Sequence, residues 1–278
     1  MHLHNVDRLI RMALDEDIGP GDITTENLVD SDLTGNGIVV AKESLVIAGL
    51  EIAEKVFRNF DTDVDYDSAY KDGDFIEAGE SVIRVSGTLK ALLMGERTAL
   101  NFLQRLSGVA THVRSYVHMI ENREVRLVDT RKTTPGWRAL EKYAVRVGGA
   151  FNHRMGLYDG VLIKDNHIAV CGGIKQAVSR IRESISHLVK IEVEVTDLSE
   201  VKAALAAGAD VIMLDNMEVR QIREAVSLID GKALVEISGG VTKKNLPLLA
   251  ETGVDLISVG ALTHAARSVD LSMKITAP

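Results

Sequence analysis

A single cysteine, Cys171, is all the thiol chemistry this chain carries. No internal disulfide can form, which fits a reducing cytoplasm rather than a secreted scaffold. Nothing near Cys171 argues for activation, so it reads as a structural thiol. No apolar run approaches the roughly 18 residues that would span a bilayer, and residues 1–11 lack the apolar core of a signal peptide. Low-complexity tracts are absent, so the whole chain is expected to be ordered. Positive charge is also short. The formal net charge is −8, which argues against a polynucleotide partner, since that favours a whole basic face.

What is present is ordinary in bulk and uneven in detail. The 278 residues, 46% hydrophobic and 26% charged, suit a globular protein of about two domains near 150 residues each, or one large barrel. Asn5 can cap a first helix with Val6, Leu9, Ile10, Ala13 and Leu14 at helical spacing. Gly19-Pro20-Gly21 stops it, and the following residues read as a turn. Residues 33–87 read as a β-rich module, with strands at 37–41, 45–48, 64–66 and 81–85 and a helix at 51–59. Its segment Asp72-Gly73-Asp74-Phe75-Ile76-Glu77-Ala78-Gly79-Glu80 is similar to the hairpins of biotinyl and lipoyl carrier domains. A carrier needs a modified lysine at the exposed tip, and Lys71 precedes the turn, so the module reads as structural. Residues 92–120 form one long helix. Its apolar stripe runs through Leu103, Leu106, Ala110, Val113, Val117 and Ile120, and a polar stripe runs through Arg97, Asn101 and Gln104.

From Val125 the pattern changes to strand, loop, helix, repeated. Strands are expected at 125–130, 160–165, 190–196, 210–216, 233–238 and 256–260. Helices are expected at 137–147, 173–187, 198–207, 217–229 and 242–251. Alternating βα units imply a parallel sheet. Six strands fall short of the eight of a full barrel, so the pattern leaves an incomplete barrel and a doubly wound sheet both open. In Ile191-Glu192-Val193-Glu194-Val195-Thr196 the acids share one face of a strand. Carboxylates there are costly unless they meet cations or a metal. Lys164, Asp215, Glu236 and Ser238 also end strands, and sites in such folds sit at the C-terminal strand ends. The last two strands run into Ser238-Gly239-Gly240 and Ser258-Val259-Gly260, each leading toward a helix, where backbone N–H groups can cradle a phosphate.

The densest chemistry lies between Arg123 and Lys164, with nine Lys/Arg against four Asp/Glu, a local surplus of five positive charges. On an acidic protein such an island suggests a small, strongly anionic ligand. The Arg138–Arg146 part reads as a solvated helix. Arg131, Lys132, Arg154 and Lys164 sit instead at strand ends or in glycine-bounded loops. Within this island Asp129-Thr130-Arg131-Lys132-Thr133-Thr134-Pro135-Gly136, then Asn152-His153-Arg154, then Leu162-Ile163-Lys164-Asp165-Asn166-His167 resemble quinolinate phosphoribosyltransferase in order and spacing. The segments Glu16–Thr25 and Glu96–Asn101 are similar to that family as well. Ala150-Phe151 stands where the family is more glycine-rich, and Trp137 where a smaller aliphatic residue is common.

The resemblance implies an open, incomplete α/β barrel (121–262) beside an N-terminal α/β sandwich domain (1–120), which the tail 263–278 rejoins. It implies transfer of a phosphoribosyl group from phosphoribosyl diphosphate to quinolinate with loss of CO2, Mg²⁺ as the cofactor and no organic one. It places Arg97, Thr130, Arg131, Lys132, His153, Arg154 and Lys164 around the acceptor's carboxylates. Glu194 and Asp215 go to ribose hydroxyls and, directly or through water, to the metal. Ser238, Gly239 and Gly240 surround the 5′-phosphate with Ser258, Val259, Gly260 and Ala261. The catalytic set would be Lys132, Lys164, Glu194 and Asp215. A homodimer, or a higher oligomer built from it, would supply Arg97 across the subunit interface. Two other readings stay open: a paralogue acting on another acceptor, such as the molybdenum-operon relative, and a barrel aldolase using Lys164 as a Schiff base.

Overall fold

In this computed structural model the described residues are 3–120 and 124–277. The chain opens with α1 (Leu3–Ile18) and α2 (Ile23–Leu28), followed by β1 (Thr34–Ala41), β2 (Leu45–Val46) and α3 (Leu50–Arg58). Then come β3 (Asp65–Asp67), β4 (Phe75–Ile76), β5 (Ser81–Thr88) and the long α4 (Leu89–Val117), which ends in a 3₁₀ turn at His118–Ile120. The second half runs β6 (Arg126–Val128), α5 (Arg138–Val147), β7 (Val161–Ile163), α6 (Asp165–Cys171), α7 (Ile174–Ser184), β8 (Ile191–Val195) and α8 (Leu198–Ala206). It closes with β9 (Val211–Asp215), α9 (Val219–Ile229), β10 (Leu234–Ser238), α10 (Leu246–Ala250), β11 (Leu256–Ser258), α11 (Ala261–His264) and β12 (Leu271–Thr276). Two compact units emerge. One comprises residues up to 114 with 133–149 and 265 onward; the other comprises 115–132 with 150–264. Residues 133–149, expected with the barrel, therefore belong to the first unit.

The first unit is built on an antiparallel sheet in the order β12-β1-β5-β3. β1 alternates buried and exposed positions along its length, the mark of a strand with one packed face. The C-terminal tail returns as β12, with Ala41 opposite Leu271 and Asn36 opposite Thr276, as expected. The stripe Leu103, Leu106, Ala110 and Val113 on α4 is fully buried. The same helix satisfies the two-residue β2 and its exit: Thr111 Oγ1 accepts from Val46 N–H and Ser107 Oγ from Ala48 N–H. The carrier-like segment is structural. Asp72 accepts from the backbone N–H groups of Gly49 and Leu50 at the start of α3 and from the Tyr143 hydroxyl.

Three local expectations change here. α1 starts at Leu3, ahead of the expected cap Asn5. The turn after Gly21 is the start of α2, because the Asp22 carboxylate accepts from Thr24 and Thr25 N–H as an N-cap. And α5 is no solvated helix: Glu141 and Lys142 are fully buried. Glu141 accepts from Arg105 Nη2 at 2.5 Å and from Thr134 through both its N–H and its hydroxyl. Charge count misled because ion pairing lets a charged helix face inward. Trp137, a departure from the family pattern, stacks on Phe102 with ring centroids 4.9 Å apart.

The second unit is a six-stranded parallel sheet in the order β6-β11-β10-β9-β8-β7. Five strands follow chain order without reversal, and the first strand, β6, pairs with the last, β11. A doubly wound sheet would reverse its order at a switch point; this one does not. Its inner side chains also converge. His153 Nε2 lies 3.0 Å from Glu192 Oε2 on β8 and 3.7 Å from Glu236 Oε1 on β10, although β9 separates those strands. Side chains two strands apart meet only on the concave face of a curled sheet. Among the described residues no pairing joins β6 to β7, so the barrel is open there. The edge of β6 gains one rung instead, where Phe151 pairs with Val128 and Arg126 lies 5.2 Å over the Phe151 ring. The second departure thus serves the barrel rim. α10 begins at Leu246 rather than Thr242, since Pro247 must sit in the first turn.

Removing a partner from the buried Glu141 tests the reading of α5. Arg105→Ala should lower stability by about 3 kcal/mol, the scale for orphaning a buried charge. A urea midpoint with unchanged slope measures it; a loss below about 0.5 kcal/mol would return α5 to a surface role.

Candidate active site

At the C-terminal ends of the barrel strands lies a cavity of about 820 Å³. Every site residue expected on the barrel lines it: Thr130, Arg131, Lys132, His153, Arg154, Lys164, Glu194, Asp215, Ser238, Gly239, Gly240, Ser258, Val259, Gly260 and Ala261. Arg97, on the exposed side of α4 in the other unit, is not among the lining residues. Leu162, Met213, Asn216, Val241, Thr242 and His264 complete the wall. Leu162 and Met213 stand two residues before Lys164 and Asp215, so strand parity could have placed them. His264 and the 241–242 turn carried no such signal.

Each charged group is held by local chemistry. After β6 the buried Asp129 accepts from Asn152 Nδ2 at 2.7 Å and His153 N–H at 2.9 Å, pinning the Asn-His-Arg loop to the strand end. The Thr130 hydroxyl accepts from Lys132 N–H, and the Thr263 hydroxyl donates to Lys132 C=O. Lys132 thereby lies over Gly260, where an added Cβ would come within 2.9 Å of its Cδ. Arg154 donates to Gly160 C=O, and Asp159 closes the same loop by accepting from Met155 and Gly156 N–H. Lys164 Nζ donates to Glu194 Oε2 at 2.5 Å. Asn216, at φ 53°, turns the chain sharply after β9 and donates to Asp215 Oδ2.

The electrostatics of the cavity are dominated by cations. The lining holds Arg131, Lys132, Arg154 and Lys164 against Glu194 and Asp215. Burial holds Arg154 below the usual guanidinium range, and the neighbouring Arg131 adds to it. Among the described residues Arg131 and Lys132 form no ion pair. The Ser258 hydroxyl donates to Ile237 C=O and Val259 N–H to Val128 C=O. They form wall. Gly239 and Gly240, at φ 84° and 59°, shape the opposite lip under Asn216.

Two family descriptions match the chain, "Quinolinate phosphoribosyl transferase, N-terminal domain" over residues 22–107 and "Quinolinate phosphoribosyl transferase, C-terminal domain" over 109–274. The chain belongs to the quinolinate phosphoribosyltransferase family. It is 45% identical over 261 residues to the "Probable nicotinate-nucleotide pyrophosphorylase [carboxylating]" of Bacillus subtilis, covering 94% of this chain and 90% of that protein. It is 36% identical to "Quinolinate phosphoribosyltransferase [decarboxylating] 1b" of Nicotiana tabacum, over 96% of this chain and 81% of that one. The solved structure of NadC from Streptococcus pyogenes superposes with a TM-score of 0.96 at 40% identity, covering 100% of this chain and 99% of the other. As a member of the quinolinate phosphoribosyltransferase family, the chain keeps the fold across both units, and the open barrel expected from the motif resemblance is the barrel seen. No helix among the described residues is long and apolar enough to cross a membrane.

The lip glycines supply a test of this geometry. At Gly239 an added Cβ would lie 2.3 Å from Asn216 Oδ1, whereas at Gly240 the same atom is 3.8 Å away. Both positions have positive φ. Gly240→Ala should therefore cost only the backbone strain, about 1 kcal/mol. Gly239→Ala should cost clearly more and displace Asn216, at about 2–3 kcal/mol. Equal chemical-denaturation losses in the two variants would contradict the contact.

Proposed function

We propose that this chain transfers the phosphoribosyl group of phosphoribosyl diphosphate to quinolinate, releasing diphosphate and CO2 and leaving nicotinate mononucleotide. It would thus act as a carboxylating nicotinate-nucleotide pyrophosphorylase, named for its reverse reaction, in NAD biosynthesis. The observation that carries this reading is the excess of cations in one cavity, with Arg154 beside Arg131 and carboxylates confined to one wall. Guanidinium groups grip planar carboxylates bidentately, and a pyridine dicarboxylate offers two. Arg131, Arg154, Lys132 and Lys164 bind and orient the acceptor, with Thr130 and His153 beside them. Glu194 and Asp215 face the ribosyl centre, where their charge stabilises the oxocarbenium character that develops as the C1–O bond to diphosphate breaks. The pyridine nitrogen supplies the electron pair for the new C1–N bond. Its positive charge then holds the pair left at C2 when CO2 departs, and a proton from the site or solvent fills that position.

The donor set fits magnesium: two hard carboxylates on one wall of a cavity that is otherwise cationic. Glu194 is already paired with Lys164, so Asp215, with one oxygen on Asn216, is the side chain that would hold the ion, through water. When bound, Mg²⁺ neutralises charge on the leaving diphosphate. The aldolase alternative fits poorly. Schiff-base lysines are activated by apolar surroundings or a second cation, and Lys164 is half exposed and ion-paired to a carboxylate. The free, half-buried Cys171 suits a reducing compartment such as the cytoplasm.

Substrate choice tests the reading. Nicotinate lacks the second carboxylate and forfeits charged hydrogen bonds of roughly 1.5–3 kcal/mol each. With phosphoribosyl diphosphate and Mg²⁺, kcat/KM for quinolinate should exceed that for nicotinate at least tenfold, about 1.4 kcal/mol. Comparable values, read as CO2 and diphosphate release, would point to a different acceptor.

Arg97 enters through assembly. It is exposed on α4 and outside the cavity lining. In a two-fold dimer of the kind we propose, the partner subunit's Arg97 completes the site. Arg97→Ala and Lys164→Ala should each be inactive. Random mixed dimers are half of an equal mixture and hold one intact site each, so about a quarter of all sites should recover on co-expression. Mixed dimers that form and stay inactive would place Arg97 elsewhere.

A further inference from the structure

Two non-glycine residues among those described have a left-handed backbone, Asn216 at φ 53° and Asp230 at φ 49°. Asp230 ends α9, with its side chain largely in solvent. Asn216 lines the cavity, between the last residue of β9 and the entry to α9. Glycine would make such a turn without strain, and asparagine is the usual substitute. The turn therefore admits Asn216 but does not call for its side chain.

The side chain is engaged nonetheless. Its Nδ2 donates to Asp215 Oδ2 at 2.9 Å, the only hydrogen bond that carboxylate receives among the described residues. The backbone N–H donates to Ser238 C=O at 3.0 Å, so the residue also grips the end of β10. The amide presses on Gly239, where Cγ, Oδ1 and Nδ2 would all fall within 2.7 Å of an added Cβ. Asn216 thus joins Asp215, at one strand end, to the Ser238–Gly240 lip at the next. A carboxylate left to itself at a strand end can rotate about two bonds. An N–H on Oδ2 fixes its plane and leaves Oδ1 for a ligand. In water such a bond contributes little. Once a ligand displaces the water, a hydrogen bond to a charged group counts for more.

We propose that Asn216 is a positioning residue for the phosphoribosyl diphosphate: it holds the Asp215 carboxylate in register with the Ser238–Gly240 lip. The two charged ends of that substrate, its 5′-phosphate and its diphosphate, then meet groups already set at a fixed separation, which spares the cost of ordering them on binding. The strained backbone is kept because the side chain it carries serves the site. The proposal rests on the phosphoribosyl diphosphate part of the function given above and not on the acceptor.

The test uses the full-length protein and does not depend on turnover. Asn216→Gly keeps the turn and deletes the amide. Its urea midpoint, without ligand, should match or exceed that of the unchanged protein. In calorimetry with Mg²⁺ present, its Kd for phosphoribosyl diphosphate should rise at least tenfold, the scale of one hydrogen bond to a charged group. Its Kd for quinolinate should stay within about twofold. Asp215→Ala should weaken phosphoribosyl diphosphate binding as well. Adding Asn216→Gly to it should cost no more than about twofold further, because the amide then has nothing to hold. A clearly lowered midpoint in Asn216→Gly makes the residue structural and overturns the proposal. So do unchanged phosphoribosyl diphosphate binding, equal losses for both ligands, or losses that multiply in the double variant. If the unchanged protein binds phosphoribosyl diphosphate but not quinolinate, the acceptor assignment fails, and the phosphoribosyl diphosphate data still decide the role of Asn216. If it binds no phosphoribosyl diphosphate, the function and the proposal fall together.

Discussion

Charge on the concave face of a parallel sheet has to be answered from within that face, because water is scarce there and the sheet's own backbone groups are already bonded. This constraint arranges the second unit. β8 points Glu192 and Glu194 inward, and β10 adds Glu236. Each is met by a different device. Glu194, nearest the strand ends, takes an ammonium group from Lys164. Glu192 Oε2 meets the His153 ring, 3.0 Å from Nε2. Glu236 is the most deeply buried and is left with desolvation as its main influence. The buried Asp129 belongs to the same scheme, since by gripping Asn152 and His153 it brings the cationic loop to the acidic strands.

Much of this was legible because strands announce themselves by parity and sites by strand ends. Ile191-Glu192-Val193-Glu194 places acids on one face by alternation alone, and Arg131, Lys132, Lys164, Glu194, Asp215 and Ser238 do share one cavity. Strand count could not say whether the sheet curls. That depends on which strand the first one pairs with, and the β6–β11 pairing is a contact between residues about 130 positions apart in sequence. Motif resemblance supplied what local patterning lacked. The failures were also physical. Charge density made α5 look solvated, but Arg105, which answers Glu141, lies a helix away. The phosphate lip read as glycines leading into a helix, yet Pro247 delays α10.

The layering of charge along the barrel also bears on the buried arginine at its rim. Arg154 is destabilised by burial and by Arg131, and steadied by Glu192 and Asp159. Glu192 is one of the two carboxylates that steady Arg154. Glu236 lies deeper, and burial pushes its carboxyl above the ordinary range. The rim keeps its cationic excess because the carboxylate beneath it is matched to His153 and Arg154 and does not cancel Arg131 or Lys132. A site that needs four cations for an anionic substrate can in this way rest on buried acids without being neutralised by them.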